Sequence, residues 1–324
     1  MGHLVRKLFD RGVVVAATGL LVLAGLLLLG VVSPLFDLLN SGAPLVGAGA
    51  LCLMLLSLMA SSRPRRMAMA LSSLALVACA PLLGPELWAA ARPSRAVAVP
   101  GRTIRILDHN LWAENVDVPG TVAAIRSAHA DILFLQERYG RSMAVTEALA
   151  ADYPFSTDVA GRSGDVILSR FPIVPGNSIG PALNGLKLAQ NVVWGVVAPP
   201  GQPPFLVATT HYGHPDPGSP QQYQRRSAEL FLGQFNPASA IFTGDFNLTP
   251  WSFRMRRQDR DLKLQRRTLA LPTWPSRLPG AHPFPFPILP IDHVYAGSDW
   301  KLVSVERGPR TGSDHFPVIV TLTR

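Results

Sequence analysis

Cysteine is scarce in this chain of 324 residues, and its two copies, Cys52 and Cys79, both lie in apolar segments. From residue 101 to residue 324 the sequence contains none. That stretch therefore has no disulfide framework, no thiolate metal site and no cysteine nucleophile. A region without cysteine suits an oxidising or a reducing space, so cysteine usage leaves the compartment open.

Charged residues are also few, at 16% of the chain, whereas hydrophobic residues make up 48%. The apolar excess is concentrated between residues 13 and 90, which predicts that this part does not face water. The charges are unbalanced, with a formal net charge of +9. A basic balance favours an anionic partner such as nucleic acid, a phosphorylated metabolite or a lipid headgroup. Lys and Arg beside membrane segments explain part of the excess equally well.

Three runs without a charged residue occupy residues 13–32, 43–60 and 67–84. Each is apolar on all sides, and the first has the length that a helix needs to cross a bilayer. A cleaved signal peptide is the competing interpretation of the first run, but its apolar core is too long and further runs follow. A transporter is disfavoured, because no acidic or basic residue lies within the runs.

The predicted organisation has three parts. They are a transmembrane anchor over 1–90, a linker over 91–100 and a catalytic domain over 101–324. A composition typical of a linker already begins at residue 85. Basic residues precede the first run and lie between the second and third, namely Arg6, Lys7, Arg11, Arg63, Arg65 and Arg66. The positive-inside rule then predicts an inner-membrane, multi-pass protein with a periplasmic or external catalytic domain. Two spans instead of three would place the catalytic domain on the cytoplasmic side. Arg92 and Arg95, which follow the last run, also count against an external catalytic domain.

Short β-rich runs alternate with helical stretches from residue 103 onward. Strands are predicted at 103–110, 131–136, 166–169, 192–198, 205–210, 240–242, 294–295, 302–305 and 318–322, and helices at about 119–129, 141–151 and 219–235. In the last helix, Ser219 is the predicted N-cap and Pro220 the first helical residue. Many strands with interspersed helices predict an α/β sandwich of two packed sheets.

Polar side chains stand at the ends of these apolar runs. They are Asn110, Glu137, His211, Asp245, Asn247, Asp292, Asp314 and His315. Singly, each has an ordinary interpretation, because Asn and Asp are common turn residues. Six such clusters at strand ends are typical of an active site assembled from loops at one edge of a rigid sheet.

The motifs resemble those of the endonuclease/exonuclease/phosphatase superfamily, which includes deoxyribonucleases, apurinic endonucleases, sphingomyelinases and inositol polyphosphate 5-phosphatases. They match over residues 103–322 as N-L-W, L-Q-E, I-L-S-R-F-P-I, T-T-H, G-D-F-N-L-T-P, I-D-H-V and G-S-D-H-F-P-V. The resemblance implies a four-layer α/β sandwich of two mixed sheets flanked by helices. Apurinic endonucleases have an Asp where this chain has Trp112, and His211 matches the deoxyribonuclease and sphingomyelinase branches instead.

The resemblance also implies the roles of the site residues. Glu137 would ligate Mg²⁺ or Mn²⁺, with Asn110 nearby and Asp314 as a further ligand, since oxygen ligands suit a hard cation. His315 would be the general base for an attacking water. Asp292 would hold its other ring nitrogen. The remaining three, Asp245, Asn247 and His211, would orient the nucleophile, bind the phosphoryl group and assist the leaving group.

The resulting hypothesis is a metal-dependent phosphodiesterase or nuclease that acts at the membrane surface as a monomer. Its substrate would be nucleic acid, a phospholipid headgroup or a small phosphodiester. Two segments are candidates for substrate or membrane contact: the basic run 251–267 and the proline-rich run 272–290 with Phe284, Phe286 and Ile288. Their ordinary interpretations are a solvated basic helix face for the first and a rigid loop packed on the core for the second. The alternative is a membrane-tethered binding or signalling module without catalysis.

Overall fold

The structure is a computed structural model that describes residues 2–158, 164–176, 192–216 and 220–324. The chain forms two compact units. The first comprises Met1–Arg92, Pro215–Pro217 and Trp251–Arg256, and the second comprises Pro93–His214, Gly218–Pro250 and Arg257–Arg324.

The first unit is helical. Its helices are α1 (His3–Leu28), α2 (Pro34–Leu39), α3 (Ala43–Leu56) and α4 (Ser62–Ala91), with 3-10 turns after α1, α2 and α3. Three segments are long and apolar enough to cross a membrane, at His3–Val31, Pro34–Met59 and Ser62–Ala91. Small buried residues such as Ala17, Ala60 and Ala68 let helix backbones approach closely.

Helix α4 is longer than the apolar run 67–84 from which it was predicted. Residues 85–91, where the sequence predicts the start of a linker, continue the helix, so this prediction is wrong. The two prolines inside α4, Pro81 and Pro85, do not end it. Freed backbone groups at proline can find other partners in packed apolar helices, and the alanines before Arg92 are strong helix formers.

The second unit is built on two six-stranded sheets. Its strands are β1 (Thr103–Asn110), β2 (Ile132–Gln136), β3 (Phe155–Ser156), β4 (Val166–Ser169), β5 (Ile173–Pro175), β6 (Val192–Val197), β7 (Phe205–His211), β8 (Ile241–Asp245), β9 (Gln265–Arg266), β10 (Arg277–Leu278), β11 (His282–Pro283), β12 (Asp292–Ala296), β13 (Lys301–Arg307) and β14 (Val318–Thr323). One sheet has the order β13-β14-β1-β2-β4-β3, and the other has the order β5-β6-β7-β8-β12-β9. A separate hairpin pairs β10 with β11.

The two sheets face each other across one apolar core. Ile104, Ile132 and Phe134 from the first sheet share a buried cluster with Val207 and Ile241 from the second. Both sheets are mixed: β1 and β2 are parallel, as are β7 and β8, whereas the other pairs are antiparallel.

Helices cover the outer faces. They are α5 (Val118–Ser127), α6 (Met143–Leu149), α7 (Gln221–Leu232) and α8 (Phe253–Asp261). Val122, Ile125 and Val145 of α5 and α6 pack on the first sheet, and Phe231 of α7 lies 5.4 Å from the Trp194 ring of the second. The predicted four-layer α/β sandwich is thereby confirmed.

The helix boundaries differ from prediction at two places. Helix α7 begins at Gln221 and Pro220 is its N-cap, so Pro220 is not the first helical residue; Ser219 lies outside the described residues. Helix α8 lies in the basic run 251–267, for which a solvated basic helix face is one interpretation; its bounds were not predicted, because the sequence FRMRRQDRD has too few apolar residues to show a helical period.

Candidate active site

The topology brings the predicted site residues to one edge of the sandwich. In the parallel pairs, Asn110 lies opposite Gln136, next to Glu137, and His211 lies opposite Asp245. Strand β12 runs antiparallel to β8, so its first residue, Asp292, lies opposite Asp245. The strands therefore gather Asn110, His211, Asp245 and Asp292, whereas Glu137, Asn247, Asp314 and His315 lie in loops next to strand ends.

Glycine is required beside Asp245. Gly244 has φ +146°, and a Cβ atom there would lie 1.9 Å from the carbonyl oxygen of Thr210 on β7. Only glycine allows β8 to approach β7 this closely. The first residue of the G-D-F-N motif thus serves the sheet, and the second serves the site.

His315 is held by Asp292. Its Nδ1 lies 2.9 Å from Asp292 Oδ2 and 3.2 Å from Oδ1, and both side chains are buried. Thr273 Oγ1 donates a second hydrogen bond to Asp292 Oδ2. The imidazole is therefore fixed at Nδ1, which leaves Nε2 as the ring nitrogen that faces the other carboxylates.

Asp245 Oδ2 is the meeting point of three nitrogen atoms. Asn110 Nδ2 donates to it at 3.1 Å, and the Nε2 atoms of His211 and His315 each lie 3.6 Å away. Its other oxygen, Oδ1, accepts the backbone N–H of Asn247 at 2.9 Å. Asn247 Nδ2 donates to the carbonyl of Tyr212 and lies 3.5 Å from His211 Nε2. Asp245, Asn247 and His211 thus form one cluster.

Charge and burial set the protonation of this cluster. Burial alone would lower the pKa of His315, but the carboxylates of Asp292 and Asp245 raise it to about 10. Burial acts to raise the pKa of Asp292, yet the facing imidazolium outweighs it and holds that pKa below the usual range. Burial raises the pKa of Asp245. In the His315–Asp292 dyad, the neighbouring carboxylates therefore favour the protonated form of the imidazole.

The oxygen donors for a cation lie beside this dyad. Asn110 Nδ2 donates to Glu137 Oε1 at 2.9 Å, and the backbone N–H of Ala113 donates to Glu137 Oε2 at 3.3 Å. Asp314 Oδ1 lies 4.0 Å from His315 Nε2, and its Oδ2 accepts the indole N–H of Trp274 at 3.1 Å. Glu137 and Asp314 are both half-buried carboxylates that solvent reaches, which fits a hydrated divalent cation.

A second group of donors lies close enough to hold an ion by distance alone. Atoms of Asp245, Asp292 and His315 lie within 4.8 Å of one another. This edge of the sandwich therefore carries two sets of groups that could hold a cation, one at Glu137 and Asp314 and one at Asp245, Asp292 and His315.

Three residues at this edge of the sandwich have a left-handed backbone conformation. Trp112, Glu137 and Asn247 have positive φ angles of 56°, 52° and 48°, which non-glycine residues rarely adopt. Trp112 is held by its N–H, which donates to Asn110 Oδ1 at 2.9 Å. Among the described residues, His129, Lys263, Leu269 and Ala281 also have positive φ angles, so this conformation is not confined to the site.

Three residues at the site were not predicted from the strand-end pattern. Thr273 and Trp274 come from the proline-rich segment and bind Asp292 and Asp314 as described. Asp165 accepts a hydrogen bond from the Glu137 backbone, and burial raises its pKa to about 6. The only sequence signal for Asp165 was its position beside a motif.

Two other residues beside the motifs have structural roles. His109 Nε2 lies 3.0 Å from Thr311 Oγ1. His293 lies 3.0 Å from both Thr268 Oγ1 and the Leu248 carbonyl. Both are fully buried, and burial lowers the pKa of each to about 3, so both are neutral at pH 7.

A cleft of about 760 Å³ opens beside Asp314. Its walls include Trp112, Arg141, Trp274 and Arg277. The proline-rich segment contributes Trp274 and Leu278 to this wall, while Phe286 and Ile288 are exposed at 73% and 53%. The segment therefore both packs on the core, as Thr273 does, and presents apolar side chains to solvent.

The basic run 251–267 is largely engaged within the protein. Arg254 pairs with Asp37, Arg256 donates to the carbonyls of Pro81 and Leu82, and Arg266 pairs with Asp259 at 3.2 Å. Arg267 donates to two carbonyls, those of Gly297 and Trp300. These four cations are tied to structural partners, which removes them from a free anion-binding face.

The chain matches known proteins over this same region. The Endonuclease/Exonuclease/phosphatase family model matches residues 109–315. Comparison with curated proteins gives no match.

Solved structures show the same fold. An endonuclease/exonuclease/phosphatase from Beutenbergia cavernae is 22% identical, with a TM-score of 0.50 over 68% of this chain and 72% of that one. A family protein from Bacteroides thetaiotaomicron is 17% identical, with a TM-score of 0.52 over 68% and 97%. A sphingomyelinase C from Streptomyces griseocarneus is 18% identical, with a TM-score of 0.45 over 68% of this chain and 99% of that one.

The family model spans well over half of the chain and includes every site residue from Asn110 to His315. Family membership supports a phosphoesterase in general. The chain belongs to the Endonuclease/Exonuclease/phosphatase family.

Proposed function

We propose that the protein is a phosphodiesterase or nuclease that uses Mg²⁺ or Mn²⁺ and acts at the membrane surface as a monomer. The observation that carries this proposal is the His315–Asp292 pair, with His315 Nε2 directed at Asp245 3.6 Å away. A water attack at phosphorus needs a group that takes a proton beside a group that stabilises charge, and this edge of the sandwich supplies both.

The dyad moves the proton. Asp292 holds Nδ1, so the proton of an attacking water would be taken at His315 Nε2. Because the flanking carboxylates keep a proton on His315 in the free site, that proton must leave before His315 acts as base. Asp245 Oδ2 is the nearest acceptor for it, and burial has already raised the pKa of Asp245.

Other side chains bind the phosphoryl group. Asn247 Nδ2 and His211 Nε2 lie 3.5 Å apart and both lie beside Asp245. They would donate to the non-bridging and leaving oxygens, where negative charge grows as water attacks. Glu137, Asp314 and the amide of Asn110 would hold the cation, which supplies positive charge to the phosphoryl oxygens when bound.

The membrane setting completes the proposal. The three candidate spans and the basic residues at 6–11 and 63–66 support a multi-pass protein of the inner membrane with a periplasmic or external catalytic domain. Nucleic acid, phospholipid headgroups and small phosphodiesters all fit the chemistry. Protease treatment of spheroplasts would degrade the catalytic domain in this topology and spare it in the reverse one.

The test is hydrolysis of bis-p-nitrophenyl phosphate and p-nitrophenyl phosphate by the full chain in detergent, with Mn²⁺, Mg²⁺ or EDTA. We expect turnover that needs the cation and favours the diester. Plasmid DNA and phospholipid vesicles follow as natural substrates. No hydrolysis of any of these four substrates would support the alternative, a membrane-tethered module without catalysis.

A further inference from the structure

Asp37 is buried in the helical unit although it is charged. It is the only acidic residue between the first two predicted spans, and its side chain has no exposed surface. A buried carboxylate is costly unless it is paired and hydrogen-bonded. Its partners therefore indicate what it is for.

The partners of Asp37 belong mainly to the segment Trp251–Arg256, which is part of the same compact unit. Asp37 Oδ1 accepts the backbone N–H of Phe253 at 2.7 Å. Asp37 Oδ2 accepts the Ser252 hydroxyl at 2.7 Å and the Arg254 backbone N–H at 3.1 Å. The guanidinium of Arg254 lies 3.1 Å away as an ion pair. Asn40 Nδ2 adds a further hydrogen bond at 2.9 Å.

These contacts close the N-terminus of α8. The first N–H groups of a helix have no partner within the helix, and a carboxylate there also interacts favourably with the helix dipole. Ser252 Oγ accepts from Arg254 and Met255, which is ordinary N-capping. Asp37, which stands 216 residues before Phe253, adds a second acceptor from a distant part of the chain.

The residues just before α8 form the loop of the G-D-F-N-L-T-P motif. Asn247 on this loop has φ +48°, in the left-handed region that Asn adopts more readily than most non-glycine residues. Strand β8 fixes the loop before Phe246. The bonds of Asp37 to Ser252 and Phe253 fix the chain where the loop ends.

We propose that Asp37 is a positioning residue for the hydrolytic site, because it holds the end of the loop that carries Asn247. The inference rests on the proposed function. It predicts that hydrolysis depends on Asp37.

The test uses the full chain in detergent with bis-p-nitrophenyl phosphate and Mn²⁺. Asp37→Ala is expected to lower kcat by about tenfold or more and to change KM by less than about twofold, since a misplaced group costs rate more than binding. Asp37→Asn keeps an acceptor for the N–H groups and should recover part of kcat. The matched control is Asp10→Ala, since Asp10 accepts the Ser61 N–H at 3.0 Å elsewhere in the same unit.

Hydrogen exchange gives a readout that does not need turnover. In Asp37→Ala, exchange of the peptide that covers residues 247–256 should rise about tenfold, the usual scale for a lost cap, and Asp10→Ala should leave it unchanged. Unchanged exchange there, or a wild-type kcat in folded Asp37→Ala, overturns the inference. If Asp37→Ala does not fold, Asp37→Asn decides by the same two readouts. An inactive wild type refutes the proposed function instead, while exchange still shows whether Asp37 holds the loop.

Discussion

The two ends of the catalytic site differ in exposure. At the dyad end, the side chains of His315, Asp292 and Asp245 are 5%, 1% and 2% exposed. At the open end, Glu137 and Asp314 are 26% and 27% exposed. Proton transfer needs fixed geometry and a tuned pKa, which burial provides. Cation binding needs access for the ion and its waters, which burial would prevent.

Asn110 joins the two ends. Its Nδ2 donates to Glu137 at the open end and to Asp245 at the dyad end. One short side chain thus connects Glu137, the proposed cation ligand, with Asp245, which faces His315. Variants at either end should therefore fail in different ways.

The largest effect is expected from His315→Ala at the dyad end. Loss of the base should lower kcat by roughly 10²–10⁴-fold, and added Mn²⁺ should not restore it. Diester hydrolysis at several Mn²⁺ concentrations measures both. His214→Ala is the control, because His214 is exposed. A His315→Ala enzyme with wild-type turnover would exclude His315 as the base.

Asp292→Asn should have the next largest effect. The variant removes the negative charge that holds His315 Nδ1, and we expect about a 10²-fold loss of kcat. Because that charge also raises the pKa of His315, the pH–rate profile should move toward lower pH. A profile that stays in place would show that Asp292 does not tune the base.

Glu137→Gln tests the open end and should act through the cation. We expect about 10–100-fold weaker Mn²⁺ affinity, with much of the turnover recovered at high Mn²⁺. Isothermal titration with Mn²⁺ measures the affinity directly. Glu306→Gln, at an exposed ion pair with Arg105, is the control. Equal Mn²⁺ affinity in both variants would remove Glu137 from the cation site.

The smallest effect concerns stability rather than turnover. The pKa of His293 is about 3 in the folded protein, against 6.5 for the ordinary side chain. Below pH 6.5 the unfolded chain therefore binds more protons, and stability falls as pH falls, by about 1.4 kcal/mol per pH unit for this group. Thermal unfolding between pH 7 and pH 4 should show a shallower slope for His293→Gln. Parallel slopes would contradict a neutral, buried His293.

The residues at strand ends could be predicted because short apolar runs in the sequence indicate where the strands lie. His211, Asp245 and Asp292 follow or precede such runs, and the pairing of β7, β8 and β12 then brings them together. The ion pair of His315 with Asp292 came from the family resemblance, since nothing in the spacing of residues 292 and 315 requires it.

Contacts from irregular segments could not be predicted in the same way. Thr273 and Trp274 lie in a proline-rich stretch without a period, so no pattern indicates that they bind Asp292 and Asp314. The bounds of helix α8 could not be predicted for a related reason, because part of its stability comes from Asp37, more than 200 residues away in the sequence. The sequence near each of these residues does not indicate which distant residues they contact.

The most direct test of the account is turnover of bis-p-nitrophenyl phosphate against Mn²⁺ concentration for the full-length wild type, Glu137→Gln and His315→Ala. The account predicts that Glu137→Gln shifts half-saturation to higher Mn²⁺, whereas His315→Ala lowers the plateau and leaves half-saturation in place. If both variants shift half-saturation alike, or neither changes turnover, the division of the site into a dyad end and an open end is contradicted.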